Sequence, residues 1–275
     1  MMERVRAKKS LGQNFLVDQH VLERIVAAVA PTAEDQVLEI GPGQGALTGF
    51  LVPRVGRLVA VELDKRLLGP LSAAYGPLPH VTIVEGDILR VDLPRLLKAH
   101  GDGQWKVAAN LPYNISSQVL FLFLETPTLF SRLVLMLQKE VGDRLVARPG
   151  TKEYGILSVF CALHFDVVRE CVVKPGSFRP IPKVDSVVLR FTPLAAPRCD
   201  VGDEPLFRRL VKASFGQRRK TLWNCLKSAD LAPDDEVLRA VLASCGIDPG
   251  RRGETLDLEE FARLSRALLA GKVLA

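Results

Sequence analysis

The chain predicts a doubly wound α/β sheet followed by a smaller all-helical domain, and three observations carry that reading. Between residues 18 and 193, short runs rich in Val, Ile and Leu alternate with stretches of helical periodicity. The first of those runs ends in a glycine-rich turn, Gly41-Pro42-Gly43-Gln44-Gly45, that opens a helix. After Thr192-Pro193 the strand signal stops, and every periodic segment reads helical.

Asp18 is placed to cap a helix running to Ala30, which Pro31 ends. Strands are expected over 37–40, 58–62, 81–85, 106–109 and 133–137; each is short, apolar and bounded by Gly, Pro or charge, as strands buried on both faces are. Ser116 or Ser117 is expected to cap a helix over 119–124. Two further strands, 165–173 and 186–192, are joined by a Pro-rich loop over 174–183 with no helix between them. The otherwise mostly parallel sheet is therefore expected to end antiparallel. Residues 194–203 read as a linker rich in Ala, Pro, Gly and Asp, and helices are expected over 204–215, 220–229, 234–244 and 258–269. The domains are thus 1–193, with a basic N-terminal arm, and 194–275.

With 275 residues and 48% hydrophobic content, the chain can bury a substantial core. No apolar run approaches bilayer length, and Met1-Met2-Glu3-Arg4-Val5-Arg6 lacks the apolar segment of a secretory signal; a cytoplasmic protein with no membrane partner is expected. Five scattered cysteines form no Cys-x-x-Cys pair, so they read as reduced thiols and no metal site is expected. The net charge of +6 gathers in Arg4, Arg6, Lys8 and Lys9, in Arg218-Arg219-Lys220 and in Arg251-Arg252, with Arg179 and Lys183 beside the Pro-rich loop. Such clusters suit a polyanionic partner, although a charge run is also what an ordinary solvated face looks like.

The glycine turn sits where nucleotide-type cofactors bind, because glycines admit close backbone approach and the N–H groups of a helix start attract an anion. Its third glycine comes one position sooner than in G-x-G-x-x-G, a spacing that suits S-adenosyl-L-methionine better than a pyrophosphate ligand such as NAD. Glu62 ends the second strand, where an acid would take both ribose hydroxyls. After the third strand, Asp87 would accept an adenine amino group while apolar neighbours, Ile88 among them, cover the ring. Asn110-Leu111-Pro112-Tyr113 follows the run over 105–109. Its Asn110 side-chain oxygen and Pro112 carbonyl are two acceptors for a planar amine, and its Tyr113 ring is a surface on which a base can stack. An aromatic amine is a poor nucleophile because its lone pair is delocalised. Two acceptors that hold its N–H bonds point the lone pair at an electrophile. All four segments fall on the carboxyl edge of one sheet.

Further motifs then stand in order: Leu11-Gly12-Gln13-Asn14-Phe15-Leu16, Asn114-Ile115-Ser116, Phe178-Arg179-Pro180-Ile181-Pro182-Lys183-Val184-Asp185-Ser186 and Phe215-Gly216-Gln217-Arg218-Arg219-Lys220-Thr221-Leu222. With them the chain resembles the ribosomal RNA adenine N6,N6-dimethyltransferase family, KsgA type, over nearly its whole length. The resemblance implies a Rossmann-like class I methyltransferase sheet and S-adenosyl-L-methionine as methyl donor. It implies that Asn14 and Leu16, with Gln13 close by, contact the cofactor, as do the positions Gly41, Gly43, Glu62, Asp87, Ile88 and Asn110. Tyr113 and Phe178 match the aromatic pair that sandwiches the target adenine, although Phe178 reads equally well as a ring burying a loop. The implied substrate is two adjacent adenines in the 3′-terminal hairpin loop of small-subunit (16S) rRNA, within an immature subunit, approached by a monomer. Arg218, Arg219 and Lys220, and then Arg6, Lys8 and Lys9, are the candidates to grip its phosphates. Two alternatives stay open: a subunit-assembly checkpoint factor whose binding matters more than its chemistry, and a resistance-type methylase of large-subunit rRNA. The motif at 216–222 favours the small subunit over the latter.

Overall fold

The computed structural model describes residues 5–273, and side chains through 271; Met1, Met2, Glu3 and Arg4, the start of the basic arm, lie outside the described residues. The strands are β1 (Phe15–Leu16), β2 (Gln36–Ile40), β3 (Arg57–Glu62), β4 (Val81–Glu85), β5 (Trp105–Asn110), β6 (Phe130–Gln138), β7 (Phe165–Val173), β8 (Phe178–Arg179) and β9 (Ser186–Pro193). The helices are α1 (Gln19–Val29), α2 (Ala46–Leu51), α3 (Lys65–Tyr75), α4 (Leu93–His100), α5 (Ser116–Glu125), α6 (Lys139–Leu145), α7 (Ile156–His164), α8 (Glu204–Phe215), α9 (Leu222–Lys227), α10 (Asp235–Ser244) and α11 (Leu258–Val273).

Seven strands form one sheet in the order β4-β3-β2-β5-β6-β9-β7. The neighbours from β4 to β6 run parallel, and β9 runs antiparallel to β6. The chain steps outward from β2 to β4 and then returns to lay β5 on the other side of β2. That reversal opens a crevice at the carboxyl ends of β2 and β5. Val37, Leu38, Val59, Ala60, Val107 and Ala108 are all fully buried. A sheet covered on both faces has no room for polar alternation, which is why these runs read as unbroken apolar stretches.

Helix α1 shows how the sequence orders one layer. Asp18 Oδ1 accepts the N–H of Val21 at 3.3 Å, and Leu22, Ile25, Val26 and Val29 fall on one buried face. Each such burial contributes about 1.5–3 kcal/mol. The helix ends at Ala30 in the left-handed region, just before Pro31. Its last carbonyls are taken by cations at the starts of two strands: Lys106 Nζ bonds Ala30 O at 2.7 Å, and Arg132 bonds Ala28 O at 3.2 Å.

Several boundaries differ from expectation. No serine side chain caps α5: Ile115 stands at the cap, and buried Ser116 turns its hydroxyl back to the Tyr113 carbonyl at 3.2 Å. The hydroxyl closes the preceding turn instead. Helix α9 begins at Leu222 rather than residue 220, because Thr221 accepts the N–H of Asn224 while Lys220 N–H bonds Gln217 O in a turn. Helices α6 and α7, after β6, were not expected; α7 is so uniformly apolar that its period is hidden.

The backbone groups into two compact units, Met1–Gly142 with Asp166–Pro193, and Asp143–Phe165 with Leu194–Ala275. The excursion 143–165 therefore groups with the C-terminal helices, although it lies inside the first domain as the sequence divides it. Within the helical unit, Tyr154 and Phe261 pack against Phe215 with ring centroids 5.8 and 6.0 Å away. The buried His164 ring lies 3.3 Å from Glu204 Oε1.

Candidate functional site

A cleft opens at the carboxyl edge of the sheet, lined by Gly41, Gly43, Glu62, Asp87, Ile88 and Asn110 from the strand ends. Gln13 and Asn14 of the N-terminal arm and Pro112 and Tyr113 after β5 complete it. Leu16 and Phe178 do not line this cleft. They pair with each other across the two-stranded β1–β8 ladder and are buried with α1 residues in the apolar core; Phe178 is 0% exposed.

The cofactor side is bound up with its own backbone. Glu62 is 5% exposed, and its Oε2 accepts the N–H of Gly43 at 3.0 Å while its Oε1 accepts that of Asp64 at 2.8 Å. Burial pushes its pKa up, and the two N–H groups oppose that rise. Each oxygen keeps a lone pair for a ligand donor. Gly43 sits at φ 60° with the Phe15 ring 3.1 Å from where a Cβ would stand, so only glycine serves there. A Cβ on Gly41 would meet nothing within 4 Å, which leaves that face of the turn open to a ligand. Asp87 Oδ1 is held by the N–H of Leu89 at 3.0 Å, and its other oxygen is 3.7 Å from Arg90. An open glycine cradle, a buried ribose-type acceptor and an Asp beside buried Ile88 fit an adenosyl cofactor; of the residues expected to contact it, Leu16 is the one the structure places in the core instead.

The arm is strapped across this side. Gln13 Nε2 donates to Asp64 Oδ2 at 2.9 Å, and Asp64 in turn accepts Arg66 through both oxygens, at 2.9 and 2.5 Å. Arg66 beside it, with help from Gln13, holds the Asp64 carboxyl down at about 2. Arg66 also reaches the Arg6 carbonyl at 3.3 Å, and Gln44 Nε2 donates to Val5 O at 2.8 Å. Gly12, at φ 64°, lies against Asn114 Oδ1, 2.8 Å from where a Cβ would be. Asp64, Phe15 and Asn114 carry no role in the sequence reading, although the last two belong to motifs it singles out.

On the other side, Asn110 Nδ2 donates to the Asn14 carbonyl at 3.1 Å. That bond sets the amide so that Oδ1 is its remaining acceptor. Ile115 N–H donates to the Pro112 carbonyl at 3.2 Å, so one of its two lone pairs is already used. The half-buried Tyr113 hydroxyl lies 2.7 Å from Ser186 Oγ, and burial pushes its pKa up. Beneath the glycine turn, Glu39 is 1% exposed, and burial pushes its carboxyl up to about 8. Neither its Oε2 nor nearby Thr48 Oγ1 has a hydrogen-bond partner among the described residues.

The basic residues fall in two places. Arg6, Lys8 and Lys9 are exposed, and the arm is tied through the Arg6 carbonyl and Lys8 N–H rather than through their side chains. In the helical unit Arg218, Arg219 and Lys220 rim a shallow hollow with Gln217. Arg218 is engaged with Glu254 at 3.3 Å and with the Lys152 carbonyl, whereas Arg219 and Lys220 extend into solvent.

Comparison with known proteins is specific. The family model for ribosomal RNA adenine dimethylase matches residues 4–268. Ribosomal RNA small subunit methyltransferase A of Geobacter metallireducens is 65% identical, over 98% of this chain and 98% of its own, and that of Geobacter sulfurreducens is 63% identical, over 97% and 96%. Among solved structures, a dimethyladenosine transferase from Plasmodium falciparum superposes with a TM-score of 0.81 at 27% identity, over 94% of this chain and 98% of its own. The 23S rRNA methyltransferase ErmE superposes with a TM-score of 0.68 at 25% identity, over 93% and 99%.

Proposed function

We propose a division of labour among the site residues of this chain, which belongs to the ribosomal RNA adenine dimethylase family. The protein is an S-adenosyl-L-methionine-dependent rRNA adenine dimethyltransferase, as its family is, and its substrate is small-subunit rRNA: its relatives at 65% and 63% identity over nearly their full length are named ribosomal RNA small subunit methyltransferase A. The large-subunit enzyme shares the fold at only 25% identity.

Gly41, Gly43, Glu62, Asp87 and Ile88 hold the cofactor, Glu62 taking the ribose and Asp87 the adenine, under an arm whose Gln13 and Asn14 close the cleft. When bound, S-adenosyl-L-methionine supplies an electrophilic methyl group on a sulfonium. Asn110 Oδ1 and the Pro112 carbonyl accept the two N6 hydrogens of the target adenine and so hold its lone pair out of ring conjugation. Tyr113 stacks on the base, steadied by Ser186. No general base is required, because the N6 proton becomes acidic only once the new C–N bond has formed, and water then takes it. After the first transfer one N–H remains. Asn110 keeps it and Pro112 is released, because the Pro112 oxygen already carries the Ile115 N–H. Phe178 joins the base only if β8 yields it from the core.

The observation that carries this reading is the Asn110 amide, set by Asn14 with its oxygen unspent at the end of the strand beside the glycine turn. Two adjacent adenines in the 3′-terminal hairpin of an immature small subunit, in the cytoplasm, are the proposed target, approached by a monomer. Among the described residues no helix is long and apolar enough to cross a membrane. The domains are proposed as 1–193 for methyl transfer and 194–275 for rRNA, with the segment 143–165 grouping with the latter. Arg219 and Lys220, with Arg218, Arg6, Lys8 and Lys9, contact phosphates. Incubating the protein with labelled S-adenosyl-L-methionine and immature small subunits, then mapping the label, tests the reading. Label is expected as dimethyladenine in small-subunit rRNA, and label on another base or in large-subunit rRNA would overturn it. Replacing Arg219 and Lys220 by Glu should weaken subunit binding and lower the slope of log affinity against log salt by about 2; an unchanged slope removes them from the interface.

A further inference from the structure

The loop from Phe178 to Ser186 is pinned at both ends beside the base side of the cleft. Phe178 is fully buried against Leu16, and Ser186, also fully buried, pairs with Gln138 at the carboxyl end of β6 and meets the Tyr113 hydroxyl at 2.7 Å. Lys174 and Asp185 brace the loop by an ion pair at 2.8 Å. The Arg179 guanidinium donates to the carbonyls of Gly176 and Phe178 at 3.0 and 2.7 Å. Pro180 and Pro182 further limit its freedom.

Between these anchors stands Ile181, 62% exposed, the most exposed large apolar side chain among the described residues; Val184 follows two positions after Pro182 at 45%. Arg179 and Lys183, on either side, are exposed cations. A stiff loop that holds an aliphatic side chain in water between two cations has a surface complementary to nucleic acid, with apolar area for a base face and positive charge for the phosphates around it. Taking an adenine out of its stack uncovers the face of its neighbour, and an inserted aliphatic side chain covers it again.

We propose that Ile181 is a positioning residue that fills the gap left in the rRNA stack by the extruded adenine, while Arg179 and Lys183 hold the flanking phosphates; this rests on the functional reading above. The wedge acts after the subunit has bound, so it governs the rate of the bound complex more than its formation. The test is steady-state methylation of immature small subunits by the full chain carrying Ile181→Ala or Ile181→Leu, with cofactor affinity and thermal unfolding measured alongside. For Ile181→Ala, kcat is expected to fall about tenfold, with KM for subunits, cofactor affinity and unfolding temperature unchanged; Ile181→Leu should recover most of the rate. Wild-type kcat in the alanine variant, a loss confined to KM, or no recovery by leucine would each overturn the wedge. If the wild-type protein itself places no methyl on small-subunit adenine, it is the functional reading that fails.

Discussion

Glu62 and Asn110 stand at the ends of β3 and β5, on either side of β2, and they are prepared differently. Both oxygens of Glu62 are already bonded to backbone N–H groups, Oε2 to Gly43 in the glycine turn and Oε1 to Asp64, before any ligand arrives. Asn110 has used only its amide nitrogen, the Pro112 oxygen has used one lone pair of two, and Phe178 is wholly inside the core. The cofactor side is a finished cup. The base side is a set of unspent acceptors, and the Phe178 ring lies in the core rather than among them. A subsite that binds the same ligand in every cycle gains from being built in advance, because no ordering cost is then met on binding. A subsite that must grip an unmodified amine and then a methylated one gains from acceptors it can engage singly.

The sharpest way to break this contrast is Asn110→Ala. Methyl transfer should fall by roughly a hundredfold to a thousandfold while subunit and cofactor affinities change little, since the cofactor side keeps its own scaffold. A comparable loss of cofactor affinity would show that the two sides are one unit. Glu62→Ala should give the converse, cofactor affinity weaker by roughly tenfold to a hundredfold in calorimetry, with much of the rate recovered at saturating cofactor. A kcat loss that saturation does not repair would deny the division.

The finished side has one exception, Glu39, whose pKa of about 8 lies above the 4.5 of an ordinary Glu. Between those values the folded state keeps a proton that the unfolded state has released, so stability falls as pH rises from about 4.5 to about 8. Glu62, also raised, adds to the same slope. Glu39→Gln should flatten that fall and raise the unfolding free energy at pH 8 relative to wild type by an amount on the order of a few kcal/mol, read as a higher unfolding temperature. An unchanged pH profile would mean that Glu39 is not protonated in the fold. The smallest effect is expected from Ser186→Ala, which frees the Tyr113 hydroxyl: kcat should drop by about threefold, on the order of one neutral hydrogen bond, with cofactor affinity unchanged. A large loss would make that pairing part of the cofactor side.

Local signals were legible where local forces decide. β4 and β7 fall on the expected residues, and α8 follows Asp203, whose carboxylate accepts the N–H of Leu206 at 2.7 Å. The glycine turn, Glu62, Asp87 and Asn110 were all placed on one sheet edge from their order along the chain, and the cleft gathers them there. Ser116 misled because a cap and a back-bonded serine look alike in sequence. The grouping of 143–165 with the C-terminal helices was invisible because uniformly apolar α7 does not say which neighbours it meets.

Local sequence was enough for the order of the seven sheet strands and of the C-terminal helices, the glycine turn and the side chains at the strand ends, because these follow from periodicity, capping and glycine within a few residues; α6, α7 and the β1–β8 ladder it did not reveal. How those side chains are set follows instead from long-range contacts. Asn110 takes its orientation from Asn14, 96 residues earlier, Tyr113 meets Ser186, 73 residues later, and Phe178 is withdrawn against Leu16. Contacts of that span depend on where the whole sheet brings the chain, and no local pattern encodes them.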